Sequence, residues 1–312
     1  MVVDEVASYC VDSGNYVEKE EGSMNLYPQK KYFRSRAHCN PLANNDGFDY
    51  PKNPDERGNI FVNTSSRTGK NYIDYVDVGC GFGGLSIALA NIDDDDEKKK
   101  KILALEIRSK VVEFVKRRIN ALNLQDRIAC VRTNAMIHLP HFLHKAEIEK
   151  MFFCFPDPHF KAKNFRRRII SKALLTEYAF FLKPYGFLYA ITDVSQLHKW
   201  HLDTCRNHPS FHIYFHATFH HDSNYQGQSA EEQQYLQCDP FLLAIISHTE
   251  EAKKVARAQN PIYCLIAQRL PDDQLPFSPS IVVSSSSGDA NKRNEVVEAD
   301  VFFDQEQDNN DD

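Results

Sequence analysis

The chain has 312 residues, of which 42% are hydrophobic and 26% are charged, and its formal net charge is −6. This composition excludes a wholly disordered chain, and the length suits one or two folded domains. The charge is uneven, because residues 271–312 hold eleven acidic side chains against two basic ones and the remainder carries +3. A mildly basic body remains compatible with a nucleic-acid partner.

The first 70 residues show little periodicity and predict a polar N-terminal extension, within which residues 28–41 are basic and aromatic. After residue 70, short β-branched or aromatic runs alternate with apolar stripes at helical spacing. The predicted elements are, in chain order, a strand at 72–78, a helix at 85–90, a strand at 102–107, a helix at 110–124, strands at 128–132 and 151–155, a helix at 169–182, a strand at 187–192 and a helix at 196–205. This alternation predicts an α/β fold, a Rossmann-like, doubly wound and mostly parallel sheet, in a domain spanning 71–270.

Two segments are predicted to lie outside regular structure. Residues 93–101, with the sequence DDDDEKKKK, predict a solvated loop between the first helix and the second strand. Residues 271–312 contain a serine run and many acids, and they predict an acidic, disordered tail.

Neither the cysteines nor the hydrophobic runs indicate a secreted or membrane protein. The eight cysteines form no C-x-x-C pair, which is typical of thiols in a reducing compartment. The first ten residues lack the basic and apolar regions of a signal peptide. The longest apolar runs, such as 241–246, are far below the ~20 residues that cross a bilayer. We therefore expect a soluble, intracellular protein.

A glycine-rich stretch at residues 77–84, DVGCGFGG, follows the first predicted strand and precedes a helix. Glycines at such a turn let a ligand approach backbone N–H groups at a helix N-terminus. Glu106 follows Gly84 by 22 residues, at the end of the second predicted strand, where dinucleotide-binding folds place an acid for the ribose. Nicotinamide-dependent dehydrogenases and S-adenosylmethionine-dependent methyltransferases both fit this pattern.

Three observations favour the methyltransferase. Asp77 lies two residues before the first glycine, where a carboxylate would face a cationic methionyl group. Asn134 and Ala135 end the third predicted strand, where a small polar group can contact an adenine amino edge. No dehydrogenase arrangement of Ser-Tyr-Lys or His-Asp is evident in the sequence.

The fourth predicted strand runs into a proline-bracketed acid, in the sequence FPDPHF at 155–160. Open α/β sheets bind ligands outside the carboxyl ends of their strands, so Asp157 is predicted to lie beside the cofactor. There its carboxylate could accept hydrogen bonds from N1–H and the N2 amino group of guanine. A basic cluster follows and is predicted to neutralise RNA phosphates. This cluster consists of Lys161, Lys163, Arg166, Arg167 and Arg168.

The histidines indicate packing and not a metal site. His138, His141 and His144 recur at helical spacing, but no acidic cluster of the metal-site type accompanies them. We therefore predict no bound metal.

The chain resembles the eukaryotic branch of the tRNA (guanine-N7)-methyltransferases, which are class I S-adenosylmethionine-dependent methyltransferases. The matching stretches include PQKKYFRSRAHCNP at 28–41, YVDVGCGFGGL at 75–85, LALEIRSKV at 103–111, RTNAMIHLP at 132–140, MFFCFPDPHFKAKNFRRRIIS at 151–171 and TEEAKK at 249–254. The combination of FPDPHFK with the glycine loop is far more specific than the loop alone.

The resemblance implies a set of site residues and an activity. It makes Asp157 the catalytic acid and S-adenosylmethionine the methyl donor for N7 of a variable-loop guanosine in tRNA. It also implies a non-catalytic WD-repeat subunit as a partner in a heterodimer, and a nuclear location. The cofactor-binding residues that it implies are Gly79, Glu106, Ile107, Arg108, Asn134, Ala135, Cys154, Thr249, Glu250 and Glu251.

Two alternative functions stay open at this point. The first is a methyltransferase of the same fold that acts on another RNA. The second is a non-catalytic tRNA-binding subunit that keeps the fold, although Glu106, Asp157 and the glycine loop are all present.

Overall fold

The structure, a computed structural model, describes residues 27–36, 39–42, 47–48, 50–58, 60–61, 72–92, 99–221 and 225–275. Residues 93–98 of the predicted Asp/Lys loop lie outside the described residues, as does the predicted acidic tail beyond residue 275. The first residues of that tail form a short 3-10 helix at Asp272–Gln274.

Strands and helices alternate from residue 75 to residue 221, and a short strand, three helices and a last strand follow up to residue 269. The strands are β1 Tyr75–Val78, β2 Ile102–Glu106, β3 Ile128–Arg132, β4 Ile148–Cys154, β5 Leu182–Thr192, β6 Phe211–His221, β7 Tyr225–Gln226 and β8 Ile262–Arg269. The helices are α1 Gly84–Ile92, α2 Ser109–Ala121, α3 Ala135–His138, α4 Lys172–Phe181, α5 Ser195–Arg206, α6 Ala230–Cys238, α7 Pro240–His248 and α8 Glu250–Arg257. None of the described helices is both long and apolar enough to span a membrane.

The strands form one sheet in the order β3-β2-β1-β4-β5-β8-β6-β7. The first five in this order are parallel, whereas β8 runs antiparallel to both β5 and β6. The strand order reverses between β1 and β4, which is the position where sheets of this kind bind ligands. The topology confirms the predicted doubly wound, mostly parallel sheet.

The predicted elements differ from the structure mainly around β5. Helix α4 begins at Lys172 and not at 169, because the Ser171 side chain caps it by accepting a hydrogen bond from the Leu174 N–H at 3.4 Å. Strand β5 begins at Leu182, five residues earlier than predicted, and a register shift against β4 accommodates the intervening proline and glycine. Strands β6 to β8 and helices α6 to α8 had no counterpart among the predicted elements.

The sheet separates two hydrophobic cores. Phe152 and Phe153 are consecutive residues of β4, so their side chains point to opposite faces of the sheet. Phe152 packs with Phe114 of α2 and Leu242 of α7 in one core, and Phe153 packs in the other, which includes Tyr178 of α4. Burial on both faces explains why the central strands are continuous apolar runs.

The described parts of the N-terminal 70 residues pack on this domain. Phe33 lies edge-on against Phe114 of α2, with the ring centroids 5.6 Å apart. Tyr50 stacks on His138 of α3, with the ring centroids 4.0 Å apart. Phe33 of the basic-aromatic segment 28–41, and Tyr50 after it, therefore contact helices that flank the sheet. The domain boundary at residue 70 stays a prediction.

A buried ion pair fastens the N-terminal region to the start of β4. The guanidinium of Arg57 contacts the Glu147 carboxylate at 2.6 and 3.0 Å, and the two side chains are only 6% and 1% exposed. Glu147 also accepts hydrogen bonds from the N–H groups of Ile73, at 2.9 Å, and His144, at 2.8 Å. The carboxylate therefore joins three segments that are distant in sequence.

Replacement of Arg57 with alanine is expected to lower the free energy of unfolding by about 3 kcal/mol or more, since it leaves the Glu147 charge buried without its cation. The matched control is Arg117→Ala, which breaks the exposed pair with Glu113 and should cost less than about 1 kcal/mol. Urea unfolding of the full chain measures both changes. Equal losses in the two variants would contradict a structural role for the buried pair.

Candidate active site

A glycine-rich turn connects β1 to α1 at the carboxyl edge of the sheet. Gly79, Gly81 and Gly83 have φ values of +74°, +54° and +76°, a region that residues with a Cβ rarely adopt. The N–H groups of Gly79 and Cys80 donate to the Leu105 carbonyl of β2, at 2.8 and 2.9 Å. The sheet therefore holds the turn in place.

Two glycines of the turn face different surroundings. A Cβ on Gly79 would meet no atom of the described residues within 4 Å, so open space adjoins the turn there. A Cβ on Gly84 would lie 2.1 Å from the carbonyl oxygen of His248. Gly79 therefore leaves room for a ligand, whereas Gly84 allows α1 to pack against the end of α7.

Glu106, the predicted ribose acid, ends β2 and is 4% exposed. Its Oε1 accepts hydrogen bonds from the backbone N–H and Nε of Arg108, both at 3.0 Å. Its Oε2 accepts from Arg108 Nη2 at 2.7 Å and from the Gly81 N–H at 3.2 Å. Glu106 and Arg108 thus lie at the glycine turn, with half-buried Ile107 between them, and their contact with the cofactor stays a prediction.

Asp77 is a second buried carboxylate at the same edge of the sheet. Its Oδ2 accepts a hydrogen bond from the Ser86 hydroxyl of α1 at 2.6 Å. Burial raises the pKa of Asp77 to about 6, although that hydrogen bond favours the ionised form, and the nearby charge of Glu106 raises the pKa further. The two buried carboxylates therefore repel each other at this edge of the sheet.

Asn134 and Ala135 form the start of α3, beyond the end of β3. The Asn134 side chain caps that helix by accepting from the Met136 N–H at 3.1 Å, and its amide donates to the Pro41 carbonyl. The adjacent Thr133 hydroxyl is buried and has no hydrogen-bond partner among the described residues. The N-terminal segment therefore reaches the place where the sequence predicts an adenine contact.

The predicted catalytic acid lies on a strained loop after β4. Phe155 and His159, on either side of it, have φ values of +52° and +45°, although neither is a glycine. The Asp157 Oδ1 accepts from the His159 N–H at 3.3 Å, and the Asp157 side chain is 30% exposed. Cys154, the last residue of β4, is half-buried, and burial raises the pKa of its thiol. The carboxylate of Asp157 is thus held in place and open to solvent.

Arg168 does not belong with the predicted phosphate-binding cluster. It is 4% exposed, and its guanidinium packs over the rings of Phe165 and Trp200, at 3.7 and 4.7 Å. Its Nε donates to the Pro158 carbonyl at 2.9 Å. The prediction that Arg168 contacts RNA phosphates is therefore wrong, because this buried side chain anchors the loop that carries Asp157.

The other basic residues of the cluster lie nearer the surface. Lys161, Lys163 and Arg166 are exposed, and Arg167 is half-buried. These positions are open to a polyanion to different degrees, and their contact with RNA stays a prediction.

The residues of the Thr-Glu-Glu segment at 249–251 lie in different environments. Thr249 is buried and caps α8, where its Oγ1 accepts from the Ala252 N–H at 3.2 Å. Glu250 forms an ion pair with Lys30 of the N-terminal segment. Glu251 pairs with Lys254 at 2.7 Å and is half exposed. Thr249 lies next to the glycine turn, since a Cβ on Gly84 would come 3.7 Å from the Thr249 Cα. Glu251, in contrast, is exposed on the surface of α8.

Three residues of this region were not foreseen as functional. They are Ser86, which holds Asp77, Pro41, which contacts Asn134, and Trp200, which packs on Arg168. Ser86 lies nine residues after Asp77, on the first turn of a helix that faces the strand, and this spacing was the one available signal. Among the described residues, no group of His, Cys, Asp and Glu is placed to hold a metal ion.

A family model described as "Putative methyltransferase" matches residues 71–265. Among solved structures, an S-adenosylmethionine-dependent O-methyltransferase of Thermotoga maritima has a TM-score of 0.39 and 14% identity, over 65% of this chain and 61% of that chain. The family match, the sheet topology and the glycine turn define a class I S-adenosylmethionine-dependent methyltransferase.

Relatives with similar sequences define the family more narrowly than the family model does. The chain is 38% identical over 250 residues to a tRNA (guanine-N(7)-)-methyltransferase of Bombyx mori, covering 78% of this chain and 97% of the relative. Relatives of the same name in Brugia malayi and Arabidopsis thaliana are 36% and 37% identical; these matches cover 81% and 78% of this chain, and 91% and 92% of the relatives. The chain belongs to the tRNA (guanine-N7)-methyltransferase family, and its methyl donor is S-adenosylmethionine.

Alanine substitution at Gly79 and at Gly84 is expected to separate cofactor binding from folding. Gly79→Ala places a methyl group in open space, so it should weaken S-adenosylmethionine binding about tenfold or more while costing about 1 kcal/mol of stability for the positive φ. Gly84→Ala forces α1 away from the His248 carbonyl and should destabilise the whole domain. Calorimetric titration and thermal unfolding measure the two effects, and the reverse pattern would contradict this assignment.

Loss of the Arg168 anchor is expected to reduce turnover more than substrate affinity. Arg168→Ala releases the Pro158 carbonyl, so Asp157 is no longer held in one position, and kcat should fall about tenfold or more with a smaller change in KM. The control is Arg206→Ala on the exposed pair with Asp203. An unchanged kcat in a folded Arg168→Ala protein would contradict the positioning role.

Proposed function

We propose that this chain transfers the methyl group of S-adenosylmethionine to N7 of a variable-loop guanosine in tRNA. The observation that carries the proposal is the register of β1 with β4, in which Val78 lies beside Phe153. The glycine turn and the loop of Asp157 therefore leave the sheet as neighbours. Family membership supplies the class of substrate, and the variable-loop position rests on the sequence resemblance.

The residues at the cleft fit the methyl donor. S-adenosylmethionine, when bound, supplies an electrophilic methyl group on a cationic sulfur. Asp77 and Glu106 offer negative charge near the open side of Gly79, and Thr133 offers a buried hydroxyl that has no partner among the described residues. We assign Asn134 and Ala135 to the adenine side, and Cys154, at the end of β4, to the part of the pocket just before Asp157.

Glu106 must exchange partners to bind a ribose. A carboxylate has about four lone-pair positions, and Arg108 and Gly81 already fill four of them. Ribose hydroxyls can bind Glu106 only if the Arg108 guanidinium moves away from it. We assign Arg108 to the binding site on this basis, as a side chain that closes the cofactor pocket.

Methyl transfer to guanine N7 needs no general base, because N7 carries a lone pair and no proton. The reaction places positive charge on the purine ring. The Asp157 carboxylate, hydrogen-bonded to the N1–H and N2 amino group, would stabilise that charge and fix the ring for in-line attack. The target base must first leave its stack, at a cost of a few kcal/mol.

We further propose that the chain works with a non-catalytic WD-repeat subunit and is located in the nucleus. Both points rest on the resemblance to the eukaryotic branch of the family. Exposed Lys161, Lys163 and Arg166 supply some of the positive charge that tRNA binding needs, and a second subunit would extend that surface. Co-purification of the tagged chain from its own cells, and its fluorescence in the nucleus, test the two points separately.

The test of the function is transfer of labelled methyl groups to bulk tRNA, with and without a WD-repeat subunit, followed by mapping of N7-methylguanosine. Asp157→Ala should lower kcat about 100-fold or more and leave the Kd for S-adenosylmethionine within about threefold. The matched control is Asp203→Ala, whose side chain is 55% exposed and pairs with Arg206. Asp203→Ala should keep wild-type activity.

Other outcomes would overturn parts of the proposal. Equal loss of turnover and of cofactor binding in Asp157→Ala would contradict the assignment of Asp157 to the substrate base. Methylation of a different RNA, with bulk tRNA left unlabelled, would replace tRNA as the substrate. Cofactor binding without transfer to any RNA would favour a non-catalytic role.

A further inference from the structure

Phe160 is a large aromatic side chain that folding leaves in solvent. It is 65% exposed, and it belongs to neither of the hydrophobic cores formed by the described residues. It lies three residues after Asp157, on the same loop. A single exposed aromatic residue is ordinary on a protein surface, so its position must be argued from its surroundings.

The loop that carries Phe160 is anchored to the domain by several contacts, although Phe160 itself is exposed to solvent. Arg168 donates to the Pro158 carbonyl at 2.9 Å, and the Arg168 guanidinium packs against the rings of Phe165 and Trp200. The Trp200 Nε1–H donates in turn to the Ile170 carbonyl at 2.7 Å. The Phe160 backbone is thus already ordered, and binding through its ring costs little further conformational entropy.

The residues that follow Phe160 supply positive charge around it. Lys161 and Lys163 are exposed and follow within three residues, and Arg166 is exposed on the next turn. An aromatic face flanked by cations is the arrangement with which proteins bind single-stranded nucleic acid, because every base has a face to stack and every nucleotide a phosphate to neutralise.

We propose that Phe160 is a stacking platform for an unstacked base of the RNA substrate, next to the guanosine that Asp157 contacts. When the target guanosine leaves its stack, the base beside it loses a stacking partner, and the Phe160 ring replaces that partner. This inference rests on the proposed function, since it takes the same RNA as the ligand. It assigns to Phe160 a contribution to substrate affinity that does not depend on phosphate charge.

The experiment compares tRNA binding and methyl transfer for full-length variants, with the WD-repeat subunit present. Phe160→Ala should raise the Kd and KM for tRNA about fivefold or more, the effect expected for loss of one base–aromatic stack. Phe160→Trp should restore the wild-type values, and the Kd for S-adenosylmethionine should be unchanged in both variants. The matched control is Tyr72→Ala, which removes an aromatic ring that is 53% exposed before the start of β1.

Two further readouts distinguish stacking from charge. The slope of log Kd against log salt concentration should stay at the wild-type value in Phe160→Ala, whereas Lys161→Ala should make it shallower by about 0.7 if Lys161 contacts a phosphate. A tRNA with 2-aminopurine beside the target guanosine should be brighter in its complex with Phe160→Ala than in its complex with wild-type protein, because only the wild-type ring replaces the stacking partner that the probe has lost.

The outcomes separate this inference from the proposed function. If Phe160→Ala binds tRNA and transfers methyl groups as the wild type does, the stacking role of Phe160 is contradicted and the proposed function stands. Phe160-dependent binding of tRNA without methyl transfer would support the platform and contradict the function. A Phe160→Ala protein that loses affinity for the WD-repeat subunit, and not for tRNA, would make Phe160 a protein contact and overturn the inference.

Discussion

The parallel pairing of β1 with β4 is the constraint on which the site depends. This pairing sets Val78 level with Phe153, so the glycine turn and the loop of Asp157 leave the sheet at neighbouring points. Because the strand order reverses between these two strands, the chain turns away to opposite sides after each of them and a cleft opens between the two turns. The topology of the sheet therefore forms the cleft, and the side chains that line it supply its chemistry.

The cleft holds two buried carboxylates, Asp77 and Glu106, beside the glycine turn. Asp77 accepts a hydrogen bond from one hydroxyl, and Glu106 accepts from a guanidinium and two backbone N–H groups. Buried charges of like sign repel each other, which contributes to the raised pKa of Asp77. A cationic ligand beside Asp77 would offset this repulsion and favour the ionised carboxylate.

The basic run after Asp157 shows how adjacent residues of one type take opposite roles. Lys161 and Lys163 are exposed, whereas Arg168 is buried against two aromatic rings and donates to the Pro158 carbonyl. Periodicity and charge along the sequence cannot distinguish them, because the difference arises from α5, which brings Trp200 over the loop. Arg168, which anchors the loop, and Lys161 and Lys163, which are exposed on it, therefore come from one short stretch of sequence.

The sequence by itself determined the central strands, the glycine turn and the acids at the strand ends. These features follow from local patterns: apolar runs between breakers, glycines where φ is positive, and an acid directly after a buried strand. Only the tertiary structure decided that Pro41 reaches Asn134, that Arg168 is buried and that Glu250 pairs with Lys30. These outcomes depend on contacts between segments far apart in the chain, and the spacing of residues within one segment does not encode such contacts.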